Sequence, residues 1–203
     1  MPDSRTAPDR SSGFPDTAFD VVGLASAGGL AALSGILAAL PTDFPTAVVV
    51  LLHRPSQYPN LLAEILSRRT VLTVEEAREG SKLCPSTVFV APPDWHLLVN
   101  VDHTFSLSRS AKVHHVRPSA DRLFESLAAT FKERAIAVVL TGTGSYGTGG
   151  VLVIKRMGVV VIVQDAATAE AQGMPLSAIA TGAADWILPL DEIAPTLVKL
   201  VMT

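Results

Sequence analysis

The chain has 203 residues, 48% hydrophobic and only 17% charged, with a formal net charge of −3. That balance predicts one globular core of moderate size and argues against a nucleic-acid or anionic-lipid partner, because the Lys and Arg residues are scattered along the chain. The single cysteine, Cys84, excludes an intrachain disulfide, reads as a small buried or semi-buried apolar residue and fits a reducing, cytoplasmic setting.

Residues 1–17 are rich in Pro, Ser, Asp and Arg, and Pro2, Pro8 and Pro15 leave no room for a lasting helix or strand. This stretch is expected to be a disordered tail, with 18–203 as one domain. No signal peptide or membrane anchor is expected, since the apolar runs are much shorter than a bilayer span. From Phe19 onward β-branched runs alternate with helical patterns: strands at 21–25, 47–52, 135–140 and 159–163, helices at 30–40, 61–69, 119–133 and 148–157. Between them, 71–74, 87–90, 96–99 and 104–107 read as closely spaced strands, a hairpin-rich midsection or sheet edge. A last strand at 185–188 and a helix from Asp191 close the chain. The alternation predicts an α/β fold: a three-layer, doubly wound, mostly parallel sheet with helices on both faces.

In such a sheet ligands bind beyond the carboxyl ends of the strands, so polar residues there are the candidates for chemistry. Ser26 follows the first strand in the run Gly23-Leu24-Ala25-Ser26-Ala27-Gly28-Gly29 and precedes a helix, which is where a nucleophile or a phosphate would sit. His53 follows the second strand, and an imidazole beside a serine hydroxyl is the pairing a hydrolase uses for proton transfer. A third polar turn, Thr141-Gly142-Thr143-Gly144-Ser145-Tyr146-Gly147, lies at the same strand-end level. Each has a plainer reading, Ser26 as a helix cap and His53 as a structural histidine. His103, His114 and His115 read as solvated loop residues; no histidine pair has metal-binding helix spacing, and neither metal nor cofactor is expected.

These segments together resemble the catalytic domain of CheB-type chemotaxis receptor methylesterases. The resemblance is carried by 21–29 with Leu40-Pro41, by Val48 to His53, Val88 to Pro92, Arg117-Pro118-Ser119 with Asp121 and Leu123-Phe124, Leu140-Thr141-Gly142, Gln164-Asp165 and Gly173-Met174-Pro175. It implies hydrolysis of glutamate methyl esters on the cytoplasmic helices of methylated chemoreceptors, or on another methyl-esterified protein, with glutamine deamidation as a related activity. It further implies Ser26 as nucleophile, His53 as general base, and oxyanion stabilisation by backbone N–H groups of the glycine-rich turns around Ala27, Gly28 and Thr143.

The family's third catalytic residue is an aspartate, and Tyr146 occupies its position here. A phenol accepts a hydrogen bond but brings no charge, and loss of the acid from a serine triad typically costs about four powers of ten in rate. An impaired Ser–His enzyme, a rewired triad using an acid such as Asp165 or Glu170, and a degenerate binding or regulatory module on the same fold are the readings this leaves. A different class is also open: Gly142, Gly144 and Gly147 spell G-x-G-x-x-G between a strand and a helix, with Asp165 at the next strand's end, as in a dinucleotide site. Trp95, His96 and Arg117 read either as a substrate groove or as edge packing. The family's full-length members commonly carry a receiver domain, for which the segment before Phe19 is too short.

Overall fold

The computed structural model describes residues 19–53, 61–145 and 147–203. The expected tail at 1–17 and Tyr146 lie outside the described residues. In chain order the elements are β1 (Val21–Ala27), α1 (Leu30–Ala38), β2 (Ala47–His53), α2 (Leu62–Ser67), β3 (Thr73–Glu76), β4 (Thr87–Val90), β5 (His96–Val99), β6 (Phe105–Ser108), α3 (Ala120–Phe131), β7 (Ala135–Gly142), α4 (Thr148–Arg156), β8 (Val160–Gln164), α5 (Gly173–Ala180), β9 (Trp186–Leu188) and α6 (Leu190–Met202).

The central sheet has seven strands in the order β3-β4-β2-β1-β7-β8-β9, with every pairing parallel. Its strands are apolar on both sides because both faces are covered. Val22, Leu24, Val48, Val50, Ile136 and Val138 meet the buried faces of α1, α2 and α6. Their neighbours Val21, Ala25, Val49, Leu51, Ala137 and Val139 meet α3, α4, α5 and the β5–β6 pair. This two-residue alternation inside a continuous apolar run is what a doubly covered parallel strand requires.

Both readings of the midsection hold in part, the sheet edge for β3 and β4 and the hairpin for β5–β6. β3 and β4 are parallel strands that extend the main sheet, and the antiparallel hairpin is β5–β6 alone. Short polar strands with few residues between them do not reveal which partner they take, since parallel pairing depends on a crossover rather than on a local turn. Helix α5 was not legible either. It opens on Gly173 and carries Pro175 in its first turn, where proline costs no helical hydrogen bond but obscures the helical pattern.

The chain runs outward from the middle in two directions: β1 to β2 to β4 on one side, β7 to β8 to β9 on the other. β1 and β7 therefore flank the point where the winding reverses, and the helices after them leave on opposite faces. A crevice at the carboxyl ends of these two strands is the ligand position of this architecture. Leu33, fully buried on α1 in the core of that face, is expected to cost about 2–5 kcal/mol of unfolding free energy when changed to alanine, measured by urea denaturation.

Candidate active site

Ser26 lies at this reversal. The β1–β7 register shifts between Ala25 and Ala27, which takes Ser26 out of the regular ladder. The residue is 1% exposed, and its hydroxyl donates to the Thr141 carbonyl of β7 at 2.7 Å. Thr141 is itself held on several sides. Its N–H donates to the Gln164 side-chain oxygen at 2.8 Å, and its hydroxyl accepts from the Ala171 N–H at 2.9 Å. Gln164 is 1% exposed and donates its amide nitrogen to the Thr168 carbonyl, so both ends of the buried amide are used. Gly29, just before α1, explains part of the glycine run: a Cβ there would stand 2.3 Å from the Thr141 methyl and 2.4 Å from the Ser26 hydroxyl.

His53 closes β2 and pairs in register with Ala27, one residue beyond Ser26. The Gly28 N–H donates to the His53 carbonyl at 3.3 Å. Gly28 thus serves the turn, with φ at +86°, and its N–H is already committed to tying β1 to β2. Of the other two residues expected around the oxyanion, Ala27 is half-buried and Thr143 is exposed just past β7. The His53 imidazole is half-buried, and burial first, then the Lys112 ammonium, holds its pKa below the ordinary imidazole value. A carboxylate partner would act in the opposite direction.

Gly144 and Gly147 are each approached from a different side. Gly173, at the start of α5, would place a Cβ 2.7 Å from both the nitrogen and the oxygen of Gly144, so only glycine lets α5 approach this turn. From the other side Asp121, 6% exposed on the first turn of α3, accepts N–H bonds from Gly147 at 3.2 Å and Gly150 at 2.6 Å. A carboxylate from α3 therefore caps the amino end of α4. A dinucleotide pyrophosphate would need that same position. Asp165, the expected ribose acid or replacement for the missing triad acid, instead accepts from the Ala167 N–H at 2.9 Å and caps a short 3-10 turn. Glu170 is exposed.

Of the remaining candidates, His96 is 1% exposed and its Nε2 donates to the Ala111 carbonyl at 3.1 Å, while Arg117 forks onto Asp94. Both are anchors of the loop before α3 rather than groove residues. His114 and His115 are exposed, as expected, but His103 is half-buried with its ring 4.7 Å from that of Phe131. Cys84 is exposed, not semi-buried, and its thiol donates to the Thr87 hydroxyl. Among the described residues no group of three or more His, Cys, Asp and Glu side chains is placed to hold a metal ion, and no helix is long and apolar enough to cross a membrane.

Comparison with known proteins agrees with this geometry. The profile of the CheB methylesterase family matches residues 21–197. The chain belongs to that family. A putative protein-glutamate methylesterase/protein-glutamine glutaminase of Leptospira interrogans is 38% identical over 180 residues, covering 89% of this chain and 93% of that protein. The Thermotoga maritima and Pseudomonas aeruginosa proteins of the same description are 39% and 40% identical, and there this chain spans only 52% and 51% of the relative's length. The crystal structure of the Thermotoga maritima CheB methylesterase catalytic domain superposes with a TM-score of 0.87 at 37% identity, over 90% of this chain and 99% of that one. The match is thus to the methylesterase domain of the CheB family, on an α/β fold.

Gln164, Gly29 and Asp121 are the residues whose part in this CheB-family site was not legible beforehand. Each acts on a backbone segment distant in sequence, so no local pattern marks it. Gly29→Ala is expected to push the Ser26 hydroxyl off the Thr141 carbonyl and to cost roughly 1–3 kcal/mol by overpacking, read by chemical denaturation. By NMR titration the His53 imidazole is expected to protonate with a midpoint below about 6.5, and Lys112→Ala is expected to move that midpoint upward.

Proposed function

We propose that this chain hydrolyses glutamate methyl esters on the cytoplasmic helices of methylated chemoreceptors, releasing methanol, and that Tyr146 slows the reaction. The observation that carries this reading is the placement of Ser26 and His53 at the carboxyl ends of adjacent parallel strands, beside the reversal of the sheet, in a chain of the CheB methylesterase family. The Ser26 hydroxyl turns from the Thr141 carbonyl, gives its proton to the His53 imidazole and attacks the ester carbonyl. Ala27 and Thr143 N–H groups face the developing oxyanion. Methanol leaves with the proton returned by His53, and water then hydrolyses the acyl-serine by the same proton path. With a glutamine side chain the leaving group is ammonia, which gives the deamidase activity named for the relatives.

A low rate follows from electrostatics. The reaction passes through an imidazolium, and both burial and Lys112 disfavour that cation on His53. In a serine triad an aspartate offsets such a cost; here a tyrosine stands in its place. The same observation supports a second reading, a binding module that holds the ester without turning it over. Two substitutions separate them, assayed by methanol release from methylated receptor. Ser26→Ala is expected to abolish hydrolysis, whereas Tyr146→Asp is expected to raise it by up to about four powers of ten. Activity indifferent to both changes would remove the serine mechanism. Inert native and Tyr146→Asp proteins that still bind receptor would establish the binding module. The pH dependence follows from the low imidazole pKa: since only neutral His53 acts as base, kcat/KM is expected to hold its plateau down to below about pH 6.5 before falling.

A further inference from the structure

Three of the 16 Lys and Arg residues lie within nine residues of one another beside the site. Residues 109–117, between β6 and α3, contain Arg109, Lys112 and Arg117 and no Asp or Glu, in a chain of net charge −3. This strap is built into the fold. Arg117 donates to the Arg109 and Ser110 carbonyls, both at 2.9 Å, and to Asp94 at 2.8 Å. His96 holds the Ala111 carbonyl. Val113 and Val116 exchange backbone hydrogen bonds around His114 and His115, whose φ angles of +49° and +68° are unusual for residues with side chains. The Arg109 guanidinium lies 4.3 Å from the centre of the Trp95 ring.

Sheet topology puts the strap next to the chemistry. β4 pairs with β2 through Val50 and Val90, so Asp94 and Trp95, a few residues past β4, lie at the same carboxyl-end edge as His53 on β2. Arg109 and Lys112 are exposed, and among the described residues neither has an ion pair. Both cations act on the Asp94 carboxylate, which Arg117 already binds, so three cations face one acid and leave an excess of positive charge that favours a ligand with carboxylates at matching positions.

We propose that this strap docks a carboxylate-rich polypeptide segment flanking the ester, so that the site selects esters set among acidic side chains. The inference rests on the esterase reading for its substrate, but the docking itself is separately measurable. The test uses two synthetic peptides bearing one glutamate methyl ester, one with flanking glutamates and one with flanking glutamines. Affinity is read by fluorescence anisotropy with Ser26→Ala protein, and kcat/KM with the native chain and Tyr146→Asp.

The acidic peptide is expected to bind roughly 5- to 10-fold tighter at low salt, with the advantage shrinking as salt screens it. In Arg109→Ala/Lys112→Ala protein, checked for folding by circular dichroism, the acidic-to-neutral ratio is expected to fall to near one. Equal affinities in the unsubstituted protein, or a ratio unchanged by the double substitution, would overturn the proposal. So would binding of a short single-stranded RNA or of phosphatidylserine vesicles as strong as that of the acidic peptide, which would make the strap a general anion surface. Hydrolysis of both peptides without preference would sink the docking and leave the esterase reading intact; preferential binding with no hydrolysis, even in Tyr146→Asp, would do the reverse.

Discussion

The reversal of winding between β1 and β7 is the constraint on which the rest of the molecule depends. Because the chain winds outward from these two strands in opposite directions, the helices that follow them leave on opposite faces, and a crevice forms at their carboxyl ends. The hydrogen bond from Ser26 to Thr141 spans it. Everything that shapes the site converges on one or other of these two residues: Gly29 by leaving room, Gln164 and Ala171 by holding Thr141, and the register shift after Ala25 by turning Ser26 out of the ladder. A buried hydroxyl and a buried backbone amide each carry a penalty if unpaired, so the network is as much a stability requirement as a functional one.

The surroundings of the site follow a consistent logic of occupied termini. Asp121 takes the N–H groups at the start of α4, and Gly28 spends its own on His53. In the glycine-rich turn after β7, which resembles a phosphate cradle in sequence, the Gly142 and Gly147 N–H groups are already taken by the Ala171 carbonyl and by Asp121. Burial, and after it the positive charge of Lys112, hold the His53 imidazole below its ordinary pKa.

Much of the fold was legible. The apolar runs at 21–25, 47–52, 135–140 and 159–163 became β1, β2, β7 and β8, extended by one to two residues at their carboxyl ends to include Ser26, His53 and Thr141. Those extensions carry the candidate site residues, and they escape a hydrophobic pattern because the last residues are polar. The midsection was legible as strands at a hairpin or sheet edge, but which strands took which role was not, since β3 and β4 find their partners through the main sheet. Asp121 stood in plain view within a quoted motif without a role, because its partners Gly147 and Gly150 lie on another helix.

By itself the amino-acid sequence determined the α/β class, the family and the presence of a serine, a histidine and a tyrosine at three motif positions, because periodicity and motif spacing are local properties. Only the tertiary structure decided which donors and acceptors are already spent and that the charge of Lys112 reaches His53. Those properties belong to pairs of residues distant along the chain, brought together when parallel strands align their carboxyl ends on one edge of the sheet.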